Sequence, residues 1–120
     1  MNKIIIVDDS AVLRTTIQNA LNSEGYEVLA TAQGSQELYN ALNNGLVPEI
    51  ILLDMFFPEE SGLDILKSLK QQYPEIKVLV ITAMHRESLA KEVKAAGADD
   101  ILYKPFDMDD LTTAIHKLFV

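Results

Sequence analysis

The sequence predicts a doubly wound α/β domain: a five-stranded parallel sheet with helices on both of its faces. Three observations point there. Continuous apolar runs such as "KIIIVDDS", "EIILLD" and "KVLVIT" read as strands buried on both sides, because a half-exposed strand would alternate with polar residues. Between the runs, apolar residues recur at three- and four-residue spacing, the stripe of a helix packed on one side. The strand-then-helix order repeats five times, which implies right-handed crossovers and a sheet covered on both faces. Small domains of this class commonly take the strand order 2-1-3-4-5.

Taken in order, the first strand covers residues 3–7 and the first helix 11–23, with Leu13, Ile17, Ala20 and Leu21 on one stripe. Ser10 is placed to cap that helix and Gly25 to stop it. "YEVLA", residues 26–30, is the second strand. The second helix spans residues 35–43 with Leu38, Ala41 and Leu42 inward and Gly45 past its end. "EIILLD", residues 49–54, is the third strand. Ser61 and Asp64 have the spacing of a capping box for a helix through residue 71, whose inner face is Ile65, Leu66 and Leu69. "KVLVIT", residues 77–82, is the fourth strand. Leu89, Val93 and Ala96 line a helix that carries a Glu87–Lys91 pair and ends at Gly97. "DILY", residues 100–103, is a short fifth strand. Asp107 and Asp110 have capping spacing for a last helix, with Leu111, Ala114, Ile115 and Leu118 toward the core.

With 120 residues the chain is sized for one domain, and 48% hydrophobic with 23% charged residues is ordinary globular composition. No apolar stretch is long enough for a membrane span and no signal-peptide layout opens the chain, so cytoplasmic residence without membrane insertion is expected. The absence of cysteine excludes disulfides and thiolate metal sites. A net charge of −8 with no Lys/Arg run argues against direct nucleic-acid binding.

Why a core strand should end in two carboxylates is the question raised by "IIIVDD". In doubly wound sheets ligands sit at the carboxyl ends of the strands, where the strand order reverses, here between the first and third strands. Those ends hold Asp8, Asp9 and Asp54. Like charges at about 4 Å repel by roughly 4 kcal/mol at an effective dielectric of 20, so the cluster needs a counterion. All-oxygen ligands without Cys or nearby His suit a hard cation, with Mg²⁺ first and Mn²⁺ as a substitute. Thr82 ends the fourth strand with a hydroxyl and Lys104 follows the fifth with an ammonium. A carboxylate beside a divalent metal, a hydroxyl and an ammonium can hold a phosphoryl group, and aspartate can accept one covalently. The alternative for Asp8 and Asp9 is simple capping of the first helix, whose positive end favours carboxylates.

The blocks "VDDS", "LLDMFFPEESG", "VITA" and "YKPF" resemble, in order and spacing, the four motif blocks of the response-regulator receiver domain, and the resemblance covers residues 1–120 as one domain with no output domain. It implies a flavodoxin-like fold, and the 2-1-3-4-5 order, already known for chemotaxis receivers, comes with it. It also implies that Asp54 accepts a phosphoryl group from the phosphohistidine of a histidine kinase or phosphotransfer protein. Asp8 and Asp9 would hold Mg²⁺ with Asp54 and the backbone carbonyl of Phe56. Thr82 and Lys104 would each bond a phosphoryl oxygen. Pro105 matches the proline that usually follows a cis bond, and Pro58 and Gly62 match the turn after the acceptor. The implied output is a switched surface of the fourth helix, fifth strand and fifth helix, read by a downstream protein, in the stand-alone chemotaxis manner.

One departure stands out. Where the family often has an aromatic residue that turns inward, three before the lysine, this chain has Ile101, and its aromatic is Tyr103. Three other functions compete. A Mg²⁺-dependent phosphohydrolase with an aspartyl-phosphate intermediate needs a second Asp at the position of Phe56. A flavin-nucleotide module needs a hydroxyl- and Gly-rich loop where "DDSAVL" stands. The third is a receiver cut from a DNA-binding regulator.

Overall fold

Alternation along each strand decides which helix layer its side chains meet. The computed structural model describes residues 2–119. Its elements are β1 (Lys3–Val7), α1 (Ala11–Ser23), β2 (Glu27–Ala32), α2 (Ser35–Asn43), β3 (Ile50–Asp54), α3 (Gly62–Gln72), β4 (Lys77–Thr82), α4 (Glu87–Ala95), β5 (Asp100–Tyr103) and α5 (Met108–Lys117). The strands form one parallel sheet in the order 2-1-3-4-5, the doubly wound, flavodoxin-like arrangement expected.

Odd and even strand positions build two separate cores. Ile4, Ile6, Ile50, Leu52, Leu79 and Ile81 face Ile17 and Leu21 of α1 and Leu111 and Ile115 of α5. Ile5, Val7, Ile51, Leu53, Val78 and Val80 face Leu38, Leu42, Leu66, Leu69 and Val93, from α2, α3 and α4. β3, central in the sheet, is buried at all five positions, which explains its unbroken apolar run. Full burial of one such side chain is worth about 1.5–3 kcal/mol, so these layers hold the strand ends at fixed heights.

The caps follow the sequence closely. Ser10 Oγ accepts from the Leu13 amide at 3.2 Å, and Asp107 and Asp110 form the full reciprocal box at α5. At α3, Ser61 Oγ accepts from the Asp64 amide at 3.4 Å. Gly25, Gly45 and Gly97 all adopt positive φ just beyond their helices.

The boundaries differ at three elements; α3 ends one residue later than expected, at Gln72, and β2 starts one later, at Glu27. β2 runs on to Ala32, because it is an edge strand whose apolar pattern fades while pairing with β1 continues through Ile6–Thr31 and Val7–Ala32. β3 starts at Ile50 rather than residue 49, although the Glu49 amide still donates to the Lys3 carbonyl at 2.8 Å. The Glu87–Lys91 pair forms at 3.6 Å with side chains 85% and 78% exposed, a geometry that stabilises little.

Candidate functional site

Sheet register brings the chemistry together. β1 pairs with β3 through Val7–Leu53, so the next residues on each, Asp8 and Asp54, stand side by side. β3 pairs with β4 through Asp54–Ile81, and β4 with β5 through Thr82–Tyr103, which sets Thr82 and Lys104 at the same edge. One carboxylate oxygen each from Asp8, Asp9 and Asp54 lies within 4.8 Å of the others. Lys104 Nζ donates to Asp8 Oδ2 at 3.3 Å and stands 3.6 Å from Asp54 Oδ1. All five side chains predicted to act here meet at one edge.

Each member is held by its own loop. Asp8 and Asp54 are buried, at 3% and 6% exposure, whereas Asp9 faces solvent. Asp8 Oδ1 accepts from the Ser10 amide at 2.9 Å, while the cap of α1 is Ser10 rather than either aspartate, so the capping alternative does not account for the pair. Asp54 Oδ1 accepts from the Met55 amide at 2.8 Å. Thr82 is 2% exposed and its Oγ1 accepts from the Met84 amide at 3.1 Å. The Lys104 amide donates to the Thr82 carbonyl at 2.8 Å, tying the two strand ends, and the Lys104–Pro105 peptide is cis.

The electrostatics are out of balance. Burial and the neighbouring Asp8 carboxylate, followed by Asp9, push the Asp54 carboxyl above its usual range, against the pull of Lys104 and the Met55 amide. Three carboxylates facing one ammonium leave negative charge to be neutralised, and an all-oxygen donor set is the chemistry of a hard divalent cation such as Mg²⁺. The donor set therefore fits the implied metal.

The loop after Asp54 closes tightly. The Gly62 amide donates to the Met55 carbonyl at 2.9 Å, and Phe56 bridges to Ser61. A Cβ on Gly62 would stand 2.5 Å from Met55 Cα and 2.6 Å from two backbone oxygens, so no larger residue fits without moving this loop. Pro58 lies exposed on the same turn. Phe57 packs on the core and Phe56 is 53% exposed, the split expected of the pair.

Three contacts escaped the sequence reading. The Arg14 guanidinium donates to the Asp8 carbonyl at 2.5 Å, bracing the acid pair from inside α1. Its signal was present: a lone basic residue one turn into the helix that follows two acids. His85 stacks on Tyr103 with centroids 4.5 Å apart and planes 17° from parallel, so Tyr103 is held in an aromatic pair beside Lys104. Ile101 instead packs at the edge of the core. Glu60 reaches the start of α2, accepting from the Ser35 amide at 2.8 Å.

With this geometry in hand, known proteins give a consistent match. A family model described as the response regulator receiver domain matches residues 4–116. The chain is 31% identical to the chemotaxis protein CheY of Thermotoga maritima over 116 residues, covering 97% of this chain and 96% of that protein. It is 36% identical to the sporulation initiation phosphotransferase F of Bacillus subtilis over 115 residues, 96% and 91% of the two chains. A chain of the CheX–CheY–BeF3–Mg²⁺ complex from Borrelia burgdorferi superposes with a TM-score of 0.92 at 26% identity, covering 99% of this chain and 90% of that one.

Proposed function

The chain belongs to the response regulator receiver domain family, and from that premise we propose that Asp54 is its phosphoacceptor. The observation that carries this reading is the single ammonium of Lys104, 3.3 Å from Asp8 and 3.6 Å from Asp54, amid three converging carboxylates. The phosphohydrolase and flavin readings are not favoured, and Phe56 stands where the hydrolase would need its second aspartate.

In this reading a histidine kinase or phosphotransfer protein presents a phosphohistidine. An Asp54 oxygen attacks phosphorus, the P–N bond breaks, and the imidazole leaves with the bonding electrons and takes up a proton from solvent. One Asp54 oxygen is held by the Met55 amide, which fixes the carboxylate for attack from the other. Asp8, Asp9, Asp54 and the Phe56 carbonyl would hold Mg²⁺, which neutralises charge on the acceptor and on the transferring group. Lys104 then pairs with one phosphoryl oxygen. The Thr82 hydroxyl bonds another, and in turning there it lets go of the Met84 amide, so the loop between β4 and α4 must rearrange.

That rearrangement shifts the face of α4, β5 and α5, which a downstream protein reads. Tyr103 stacks on His85 of the moving loop, so this pair, rather than Ile101, answers the loop's motion. The Borrelia structure joins CheY to CheX, and binding of this receiver to a partner protein is expected here as well.

The test is intact mass after incubation with a small acyl phosphate. Wild type in Mg²⁺ should gain one phosphoryl group. Chelation or Asp54→Asn should abolish the gain, and modification surviving Asp54→Asn would remove Asp54 from the role.

A further inference from the structure

We infer that Glu60 is a positioning residue that braces the phosphoacceptor loop against the start of α2 and so sets the metal affinity of the site, an inference that rests on the Mg²⁺ reading above. Glu60 Oε2 accepts from the Ser35 amide at 2.8 Å across 25 residues of sequence. α2 has no side-chain cap of its own, since its N-cap is Gly34, so a carboxylate from a different loop satisfies its first amide.

Gly34 carries a second mark of the same contact. Its backbone, at φ −178°, is extended and open to any residue, but a Cβ there would stand 2.6 Å from Glu60 Oε2. Space for the Glu60 carboxylate, not backbone conformation, is what glycine provides at this position.

The brace matters because of what else the loop carries. Residues 55–61 are pinned at their base by the Gly62–Met55 hydrogen bond and the Phe56–Ser61 bridge, so the loop moves as one piece. Phe56, whose carbonyl is assigned to the metal, belongs to that piece. Glu60 ties its far side to α2, across a cleft of about 850 Å³ lined by Asp9, Ser35, Glu37, Phe57 and Glu60 among others. The bond thus joins the loop that carries Phe57 and Glu60 to the start of α2, and both line the cleft together with the exposed Asp9. Releasing it frees the loop that carries Phe56 from α2 and so loosens the carbonyl assigned to the metal.

The test uses the full chain, Mg²⁺ alone, and five variants, one of them a double, followed by calorimetric titration. Glu60→Ala removes the acceptor. Ser35→Pro removes the donor while keeping the carboxylate, at the first helical position where proline is well tolerated. Gly34→Ala displaces the carboxylate by its methyl group. Each should weaken Mg²⁺ binding by about tenfold, the lower end of the loss seen when a group orienting a metal ligand is removed. Glu60→Ala and Ser35→Pro combined should lose little more than either alone, because both break one bond. Glu60→Gln keeps an acceptor oxygen and should bind nearly as wild type, which separates the bond from bulk attraction of a cation to negative charge.

Unchanged Mg²⁺ affinity in both Ser35→Pro and Glu60→Ala would overturn the inference, whatever happens to their unfolding midpoints in chelator. Equal losses in Glu60→Gln and Glu60→Ala with none in Ser35→Pro would overturn it too, in favour of charge alone. A wild type that binds no Mg²⁺ would instead remove the metal reading on which the brace depends.

Discussion

The two ends of the sheet use the same side chains to opposite effect. At the amino end, Asp99 Oδ2 accepts from Lys70 Nζ and from the Val78 amide, both at 2.8 Å, and Lys70 also donates to the Ile76 carbonyl at 2.8 Å. One carboxylate meets one ammonium there, and each also has a backbone partner, Val78 for Asp99 and Ile76 for Lys70. At the carboxyl end three carboxylates meet one ammonium, at longer distances of 3.3 and 3.6 Å. A balanced pair joins α3 to β4 and β5. An unbalanced cluster stores repulsion that a divalent cation would relieve. Charge type alone does not separate structure from function in this molecule; the local sum of charges does.

That contrast can be broken from either end. The largest effect should come from Lys104→Met, which takes away the ammonium that meets Asp8 and Asp54 at the acidic edge. Phosphorylation by a small donor should slow by about 100-fold, the usual consequence of losing a group that stabilises developing charge. A rate within about threefold of wild type would dissociate Lys104 from the chemistry.

Lys70→Met is the matching change at the other end. Breaking this partly buried, charge-assisted bond should lower unfolding free energy by about 2 kcal/mol. Phosphorylation rate and Mg²⁺ affinity should stay at wild-type values, and a loss of either would erase the distinction between the two ends.

A smaller effect is expected from pH. The Asp54 carboxyl is raised in the fold, so the native protein keeps this proton to higher pH than the unfolded chain does. The stabilising contribution is therefore full below the ordinary carboxylate value and is lost as pH rises through the raised one. In chelator, the stability of wild type relative to Asp54→Asn should fall across that window. A relative stability that rises there would reverse the sign assigned to Asp54.

Lys91→Ala should change unfolding by no more than about 0.5 kcal/mol, since the Glu87–Lys91 pair is solvent-exposed on α4. It marks the floor of the series.

How much of this was legible in the sequence follows from what each feature is made of. The apolar runs of β1, β3 and β4 announced themselves because strands buried on both faces cannot alternate, and Asp8, Asp54 and Thr82 followed as the residues ending those runs. β2 was shortened in the reading because an edge strand is partly exposed and its pattern weakens before its pairing does.

Contacts between loops left no such trace. Asp99 reads as a lead-in to β5, and only the fold shows its carboxylate between Lys70 and Val78. Glu60 and Ser35 lie on separate loops, and His85 and Tyr103 on neighbouring strand ends, where no periodicity reports on proximity. Local patterns therefore located the acids and their ammonium, while the braces that aim them became visible in three dimensions.

The most direct test of the imbalance at the carboxyl edge is chemical unfolding of wild type and Asp54→Asn, each with chelator and with saturating Mg²⁺. The imbalance predicts that Asp54→Asn is the more stable protein in chelator, since it removes a buried charge repelled by Asp8. It also predicts that wild type gains the more from the cation, by about 2.7 kcal/mol at a hundred times its dissociation constant. A wild type that Mg²⁺ leaves unchanged, or that loses stability in chelator on Asp54→Asn, would contradict it.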